Sequence, residues 1–352
     1  MNAGAAGVLE AGLLEVRGLS IEFPARDGGW TPIVEDVGLS VARGETVGLV
    51  GESGSGKTLT SLALPGLLPF RGGRVSRGSI RFEGTEIVGA SEKSLRKIRG
   101  ERIGMIFQQP LLSLNPAYSV GDQIAETVRR HRGTSTKEAW RLAVAMLERV
   151  GISDAASRAH DYPHRFSGGM CQRVMIAQAL VCEPSLLIAD EPTTALDVTI
   201  QARVLQLMRA LQADMGLAVL LITHDLGVIA EMCDRVMVMY AGQIVESGPV
   251  AAILGAPRHP YTEALIGAVP TAKTRRLVSV RGNVPSPGAM PAGCRFAPRC
   301  PTARAGTCDS AAVPLREIGA GHHTRCARFD DLYAKGGAAK ASPAGAALAP
   351  AS

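Results

Sequence analysis

The sequence lacks any apolar run that approaches the ~18 residues needed to cross a membrane as a helix. Its N-terminus also lacks the basic residues and the apolar core of a secretory signal peptide. We therefore expect a cytosolic chain. Because the cytosol is reducing, the seven cysteines are expected as thiols or metal ligands rather than as disulfides.

The sequence also lacks heptad repeats and dense runs of basic residues. A formal net charge of +6 could suit nucleic acid or an anionic membrane surface, but the lysines and arginines are scattered along the chain. What is present is an ordinary globular balance of 46% hydrophobic and 20% charged residues. At 352 residues the chain is long enough for two domains.

Residues 51–58 read Gly-Glu-Ser-Gly-Ser-Gly-Lys-Thr and fill every fixed position of the phosphate-binding pattern G-x-x-x-x-G-K-[ST]. A buried strand is predicted to enter this loop (Thr46–Val50) and a helix to leave it (Thr58–Leu68), so that backbone N–H groups converge on phosphate oxygens. This order disfavours the alternative, a plain Gly/Ser-rich turn. Lys57 is predicted to neutralise the β- and γ-phosphates, and the Thr58 hydroxyl to bind Mg²⁺. The predicted nucleotide-binding residues here are Gly51, Ser53, Gly54, Ser55, Gly56, Lys57 and Thr58.

An aromatic residue near the N-terminus is a candidate for contact with a nucleotide base. Apolar and polar residues alternate from Leu14 to Phe23, with a register change at Gly18, as in a half-buried strand. Phe23, at the end of this strand, is predicted to stack on adenine. Trp30 in the following turn is the competing candidate, and an edge-strand core residue is the alternative interpretation of Phe23.

Two carboxylates follow a second buried strand. Residues Leu186–Glu191 predict a parallel strand that delivers Asp190 and Glu191 at its carboxyl end, where ligands bind in open α/β sheets. Asp190 is predicted to hold Mg²⁺ through water, and Glu191 to polarise the water that attacks the γ-phosphate. Upstream, Ser167-Gly168-Gly169 opens a helical pattern that runs to about Cys182 and offers a second anion-ready helix N-terminus.

Two further polar residues follow predicted strands. Gln108 comes after the strand Arg102–Phe107 and could reach a bound metal or water. His224 comes after the strand Leu217–Ile222 and is the third polar group delivered to the same edge, although one such histidine can also be a satisfied structural residue. Between these strands, Val120–Val150 has a helical pattern that predicts an inserted subdomain.

The order of these pieces resembles the ATP-binding subunit of ABC transporters over roughly residues 13–332. The resemblance rests on the phosphate loop, Gln108 of the Q-loop, Ser167, Gly168 and Gly169 of the signature, Asp190 and Glu191 of Walker B, Asp197 of the D-loop and His224 of the switch. It implies an α/β P-loop ATPase that uses ATP and Mg²⁺, with Glu191, His224 and Gln108 in catalysis. It also implies a head-to-tail dimer, in which Ser167 and Gly169 of one chain, with Gly168 and Asp197, close on the nucleotide of the other.

This resemblance sets the expected domain limits. Residues 1–12 are expected to form a tail, residues 13–250 an ABC ATPase domain with a helical subdomain at about 109–165, residues 251–335 a C-terminal extension, and residues 336–352 a low-complexity tail. After Gly248 the chain is expected to leave the ATPase core, since the extension has few long apolar side chains of its own.

Several details are similar to the importers of dipeptides and oligopeptides. Met170 replaces the usual glutamine and Cys171 a frequent arginine, and Met170 is common in that subgroup. Other matching segments are Gln108–Pro116, Met239–Gly242, His259–Tyr261 and Gly293–Pro301. Membership implies ATP hydrolysis that powers peptide import at the cytoplasmic face of the inner membrane. The implied partners are a second ABC ATPase, a heterodimer being favoured over a homodimer, two transmembrane permeases and an extracytoplasmic binding protein.

Two other functions compete with peptide import. The first is import of nickel or another solute by a member of the same subgroup, because the substrate is chosen by proteins other than this chain. The second is a soluble ABC ATPase that acts on DNA or ribosomes. It is disfavoured because the chain has one cassette and neither heptads nor a dense basic patch, so no nucleic-acid partner is expected.

Four of the cysteines lie in the C-terminal part, in a segment with little apolar core: Cys294, Cys300, Cys308 and Cys326. Such a concentration suggests that a bound metal ion or metal cluster stabilises this segment. Spacing leaves iron–sulfur and zinc about equally favoured, with His322 and His323 able to complete a zinc site and chance thiols as a third interpretation. The resemblance to peptide importers, whose extension is associated with a 4Fe-4S cluster, favours iron–sulfur. Cys171, Cys182 and Cys233 are interpreted as plain thiols.

Overall fold

Two β-sheets and the helices packed on them make up the fold. The computed structural model describes residues 12–25, 27–194, 196–269 and 282–334. The strands are β1 (Leu14–Pro24), β2 (Trp30–Val41), β3 (Thr46–Val50), β4 (Arg74–Phe82), β5 (Thr85–Glu86), β6 (Ile103–Ile106), β7 (Leu186–Asp190), β8 (Ala218–Thr223), β9 (Arg235–Tyr240), β10 (Gln243–Pro249), β11 (Arg316–Gly319) and β12 (His322–Thr324).

The α-helices are α1 (Lys57–Ala63), α2 (Glu92–Ile98), α3 (Pro110–Ser113), α4 (Val120–Arg132), α5 (Thr136–Arg149), α6 (Ala155–Arg158), α7 (Gly168–Leu180), α8 (Val198–Met215), α9 (Leu226–Met232), α10 (Val250–Gly255) and α11 (Pro260–Gly267). Short 3₁₀ turns occur at Leu68–Arg71, Pro163–Arg165, Pro287–Ala289 and Ala297–Arg299, and a π-helical turn at Asp330–Ala334. None of the helices within the described ranges is long and apolar enough to cross a membrane.

The larger sheet has the strand order β11-β12-β10-β9-β3-β8-β7-β6, and its five strands from β9 to β6 are parallel. Every residue of β3, β7 and β8 is buried, as their continuous apolar sequences predict. One face packs against the antiparallel sheet β2-β1-β4-β5, and the opposite face against helices. Because parallel strands end at one edge, the polar residues that follow β3, β6, β7 and β8 are delivered together.

The local predictions for these strands are mostly confirmed. Strand β3 has the predicted limits, and β1 shifts register between Val16 and Leu19, where Gly18 has a φ of +58°. Helix α1 is shorter than predicted. It ends at Ala63 rather than at Leu68, because Pro65 lacks the N–H that would continue the helical hydrogen bonding.

The predicted helical segment contains two helices. Gly133, in the left-handed conformation, ends α4, and Ser135 caps the start of α5 by accepting a hydrogen bond from the N–H of Glu138. Both helices pack on α7, and their apolar residues join one core cluster with β7 and β8. The helical segment therefore shares its core with the large sheet, and the limits 109–165 stay a prediction.

The C-terminal part returns to the ATPase sheet, which was not expected. Strand β12 pairs antiparallel with β10, so residues beyond 315 extend the large sheet. Phe296 is buried against Tyr240 and Tyr261, with ring centroids 5.3 Å from each. The expectation that the chain leaves the core after Gly248 is therefore wrong. The few apolar residues of the extension complete a core that the ATPase strands supply. The tails predicted at residues 1–12 and 336–352 lie, except for Gly12, outside the described residues.

Candidate functional site

The loop of residues 51–58 joins β3 to α1 and depends on its glycines. Gly54 and Gly56 have φ angles of +78° and +105°, in the left-handed region that favours glycine. A Cβ atom on Gly51 would lie 2.1 Å from the carbonyl oxygen of Met239, so no larger residue fits there. The loop therefore lies directly on the end of β9, and its bends follow from its sequence.

Lys57 is buried and folded back onto its own loop. Its Nζ donates hydrogen bonds to the carbonyl oxygens of Gly51, at 2.8 Å, and Glu52, at 3.0 Å. Burial lowers the pKa of this ammonium, while the nearby carboxylates, led by Glu191 and Asp190, oppose the shift. A cation is thus held against the phosphate-binding loop by backbone oxygens, which a phosphate can replace as its partner.

Asp190 ends β7 beside the start of α1. The hydroxyls of Thr58 and Ser61 donate to its two carboxylate oxygens, each at 3.4 Å. Burial raises the pKa of Asp190, and the hydroxyl of Thr58 works against this rise. A hydroxyl and a carboxylate side by side are oxygen ligands of the kind that Mg²⁺ prefers.

Glu191 is the centre of a small polar network. Its carboxylate accepts from Gln108 Nε2 at 2.9 Å and from Thr194 Oγ1 at 2.8 Å, and lies 3.3 Å from His224 Nδ1. Burial alone would raise its pKa, but the hydrogen bonds from Thr194 and His224 and the charge of Lys57 hold the pKa below its usual value. The backbone of Glu191 has a φ of +48°. The structure therefore places Gln108 and His224 each in contact with Glu191, and the lowered pKa favours the ionised form of its carboxylate.

Two residues that contact Asp190 or Glu191 were missed by the sequence reasoning. Ser61 lies one helical turn beyond Thr58, on the same face of α1, so helical periodicity could have identified it. Thr194 lies in the turn after Glu191, where its N–H also donates to the carbonyl oxygen of Glu191. A threonine three residues after the carboxylate in a turn is the signal that could have found it.

The signature and D-loop residues lie elsewhere. Ser167 caps α7 by accepting from the N–H of Met170, and Asp197 caps α8 by accepting from the N–H of Ile200. Both capping residues are exposed. The starts of α7 and α8 are adjacent, since a Cβ atom on Gly169 would lie 2.6 Å from the side chain of Ile200. Across the described ranges, no hydrogen bond or ion pair joins residues 167–169 or Asp197 to the phosphate loop, Asp190 or Glu191.

The two aromatic candidates differ in their surroundings. Phe23 is half-buried against the core between the two sheets and lies next to Gly73. Trp30 is 42% exposed, with the guanidinium of Arg74 3.9 Å from its ring centroid. Stacking of Phe23 on adenine stays a prediction.

The four C-terminal cysteines line one narrow cavity, together with His259, Pro260 and Phe296. All seven cysteines of the chain are free thiols. Burial raises the pKa of Cys294 to about 11 and that of Cys326 to about 12. Within the described residues, no three His, Cys, Asp or Glu side chains are arranged to hold a metal ion.

The two histidines considered as partners of these cysteines are engaged elsewhere. His322 Nε2 lies 2.8 Å from the buried carboxylate of Glu246, and His323 Nδ1 lies 3.3 Å from the carbonyl oxygen of Gly321. Neither lines the cysteine cavity; His259 does, and its buried Nε2 has no hydrogen-bond partner among the described residues. The expectation that His322 and His323 complete a zinc site is therefore not met by the structure.

Known proteins resemble this chain in both sequence and structure. The family model "ABC transporter" matches residues 34–194, and the model "Oligopeptide/dipeptide transporter, C-terminal region" matches residues 245–308. A protein of Brucella melitensis biotype 1, BMEII0863, provisionally named a peptide import ATP-binding protein, is 49% identical over 92% of this chain and 98% of its own length. BAB2_1052 of Brucella abortus, named in the same way, is 48% identical over 90% of this chain and 95% of its own length.

Solved structures share the fold. A dimeric ATP-binding cassette, MJ0796, in a post-hydrolysis state with ADP and Pi has a TM-score of 0.60 at 26% identity, covering 67% of this chain and 98% of its own. The protein cbiO1 of Clostridium perfringens, part of the ABC transporter complex cbiONQ, has a TM-score of 0.59 at 29% identity and covers 69% of this chain and 91% of its own. The chain therefore belongs to the ATP-binding proteins of the ABC transporter family and has their P-loop ATPase fold.

Proposed function

We propose that this chain binds and hydrolyses ATP to power the import of dipeptides or oligopeptides. The observation that carries the ATPase assignment is the contact of Gln108, Glu191 and His224 at one sheet edge, next to the loop that holds Lys57. The peptide assignment is supported by the match to the oligopeptide/dipeptide transporter C-terminal region and by the names of the Brucella relatives.

Each side chain at this edge has a proposed role. The N–H groups of residues 51–58 and the Lys57 ammonium bind the phosphates. Thr58, Asp190 and Gln108 would hold Mg²⁺, which when bound neutralises charge on the β- and γ-phosphates. The ionised Glu191 accepts a proton from the attacking water. Thr194 and His224 keep its carboxylate in place, since both contact it directly.

The signature residues require a second ATPase chain. Ser167, Gly168, Gly169 and Asp197 are proposed to complete a nucleotide site whose phosphate loop belongs to the partner. Their support is the exposure of both caps and the lack of contact to this chain's own phosphate loop, as far as the structure describes the chain. We propose a head-to-tail dimer with a different ABC ATPase, bound to two permeases at the cytoplasmic face of the inner membrane and served by an extracytoplasmic binding protein.

Reconstitution tests this function. The chain is assembled in vesicles with the permeases and ATPase that co-purify with it from membranes, and uptake of labelled dipeptides and oligopeptides is measured with ATP. The matched control replaces this chain by its Lys57→Ala variant. Peptide uptake that depends on ATP and on Lys57 supports the proposal. Retention of Ni²⁺, and of no peptide, by the accompanying binding protein would assign the transporter to nickel instead.

The cysteine cavity is proposed to bind one 4Fe-4S cluster that staples residues 251–335. The chemical type of the donors supports the proposal, because four thiols and no carboxylate line the cavity and the N–H of Arg304 donates to Cys308 Sγ at 3.4 Å. Binding would require these side chains to rearrange, since no three metal-ligating side chains of the described residues are arranged around a common point. The oligopeptide/dipeptide family match contains Cys294, Cys300 and Cys308 and stops before Cys326. A role in catalysis is not proposed, since the cavity contains none of the predicted ATPase residues.

Metal analysis of anaerobically purified protein tests the cluster. A brown protein with about four irons per chain is expected. Cys300→Ser should lose this iron, whereas Cys233→Ser, which changes a thiol outside the cavity, should keep it. Stoichiometric zinc would replace the cluster by a structural zinc site. If the native protein contains neither metal and all four thiols can be alkylated, the proposed metal site is refuted.

A further inference from the structure

A buried arginine of the C-terminal extension reaches the phosphate loop. Two nitrogens of Arg299 contact the two carboxylate oxygens of Glu52, at 2.8 and 3.3 Å. The Arg299 side chain is 5% exposed and that of Glu52 25% exposed, so the pair is largely removed from water. Such a bidentate, poorly hydrated ion pair is both stronger and more precisely oriented than a surface ion pair.

Glu52 is held by its backbone as well as by its side chain. Its N–H donates to the hydroxyl of Tyr261 at 2.9 Å, and its carbonyl oxygen accepts from Lys57 Nζ at 3.0 Å. Arg299 also donates to the hydroxyl of Tyr240 at 3.3 Å. The residue that holds the Lys57 ammonium is therefore itself held by Tyr261 and Arg299, both of which lie beyond residue 250.

The charge of Glu52 explains why such a partner is needed. Glu52 is the single acidic residue of the segment 51–58 and follows its first glycine directly. Its charge acts on the site, because Glu52 is one of the carboxylates that raise the pKa of Lys57 and so oppose the lowering caused by burial. An uncompensated carboxylate at this position would repel a triphosphate, whose charge is of the same sign. The Arg299 guanidinium cannot be deprotonated at neutral pH and compensates it permanently.

We infer that Arg299 is a positioning residue for nucleotide binding: it neutralises Glu52 and fixes the phosphate loop from the C-terminal side. The inference rests on the proposed role of residues 51–58 in binding ATP. It adds to that role a residue that lies outside every ATPase motif and whose effect on ATP passes through Glu52.

A double-mutant cycle on the complete chain tests the inference. ATP affinity is measured for the wild type, Arg299→Gln, Glu52→Gln and the double variant. In the wild-type background Arg299→Gln should weaken ATP binding about tenfold, close to 1.4 kcal/mol. In the Glu52→Gln background the same change should weaken ATP binding less than about threefold, because no carboxylate is left to be neutralised. Arg316→Gln is the control, since it removes an exposed extension arginine paired with Asp330.

A second measurement separates charge from folding. If the carboxylate repels ATP, the deficit of Arg299→Gln should shrink as salt is raised from about 0.05 to 0.5 M, since screening weakens the repulsion. Arg299→Lys keeps the charge but loses the two-pronged contact, and should lie between wild type and Arg299→Gln. It also serves as the test variant if Arg299→Gln does not fold. Equal losses in both backgrounds, with no salt dependence, would overturn the inference.

Failure of the inference can be told apart from failure of the proposed function. Lys57→Ala is measured in the same assay. If Lys57→Ala loses ATP while Arg299→Gln and Arg299→Lys bind as the wild type does, the role of Arg299 is refuted and the ATP site stands. If Lys57→Ala binds ATP as tightly as the wild type, the proposed nucleotide site itself is refuted.

Discussion

Two helix starts in this protein are proposed to face phosphate, and they differ in how they are supported. At the start of α1, the loop is buried on β9, Lys57 is folded onto its carbonyls, and Asp190 lies next to Thr58. At the start of α7, Ser167 caps its own helix and is exposed to solvent. The first is a site formed within one chain, and in the proposed dimer the second is a surface that completes the site of another chain.

This difference explains why both sequence patterns use glycine next to a helix start but only one includes a lysine. A cation at an exposed surface would be hydrated and mobile, whereas a buried one is oriented by the backbone that surrounds it. In the proposed dimer the exposed start would therefore contribute N–H groups and a hydroxyl, and the cation would come from the partner chain. The variants below are chosen to separate the two starts.

Glu191→Gln has the largest expected effect and leaves both helix starts intact. The amide cannot take a proton from water, so hydrolysis should fall by roughly 10²- to 10⁴-fold while ATP binding is retained. Turnover is measured in the complete transporter complex, and ATP binding on the purified chain. Wild-type turnover in that complex would show that Glu191 is not the base.

Ser167→Arg affects the exposed start alone. A bulky cation there should block closure on the partner's nucleotide and slow hydrolysis at that site by roughly 10²- to 10³-fold, the range for losing transition-state donors. This chain's own nucleotide should remain bound. Ser135→Arg is the control, because Ser135 caps α5 in the same way and is also exposed. Full activity of a purified monomer at high dilution would contradict the shared site.

Lys57→Ala affects the buried start alone and should give the opposite pattern. Removal of a desolvated cation that faces phosphate is expected to weaken ATP binding by about 100-fold, near 2.7 kcal/mol. Dimerisation surfaces around Ser167 should be unchanged, so a partner loaded with ATP should still associate. Calorimetric titration with ATP measures the first effect, and size-exclusion chromatography with the partner ATPase the second.

Phe23→Ala has the smallest expected effect. Stacking of an aromatic ring on a base is worth about 1–3 kcal/mol, so ATP affinity should fall by roughly tenfold. Trp30→Ala should leave the affinity nearly unchanged if Phe23 is the stacking residue. The reverse result would assign stacking to Trp30, and Phe23 would then be a core residue of β1, consistent with its half-buried position; because β1 pairs with both β2 and β4, it is not an edge strand as the alternative interpretation had it.

The end of β3 and the start of α1, which flank the phosphate loop, could be predicted because they depend on local sequence pattern. A short apolar run, a glycine-rich turn and a helix follow one another within residues 46–63, and the type of each element can be predicted without distant information. The grouping of polar residues at one sheet edge could be predicted from the rule that the parallel strands of a sheet end at the same edge. Its finer contacts, such as Gln108 with Glu191 across 83 residues of sequence, required the folded chain.

The C-terminal part was the least predictable region. Its few apolar residues suggested a separate segment, yet β12 pairs with β10 and Phe296 enters the core beside Tyr240. Similarly, Glu52 contacts Tyr261 and Arg299 over sequence separations of 209 and 247 residues. No periodicity encodes such contacts, because each partner looks locally like an ordinary turn residue or a surface ion.

The contact between Glu52 and Arg299 sets an order of events during synthesis. Ribosomes extend chains at about 5–20 residues per second, so the 247 residues that separate the pair take roughly 10–50 s to make. For most of that interval β9, on which the loop lies, has not been made, and throughout it the loop lacks the guanidinium that compensates Glu52. On the proposed role of Arg299, a nascent chain should therefore bind ATP less tightly than the finished chain. Full affinity is expected only after Arg299 has been synthesised and has docked on Glu52.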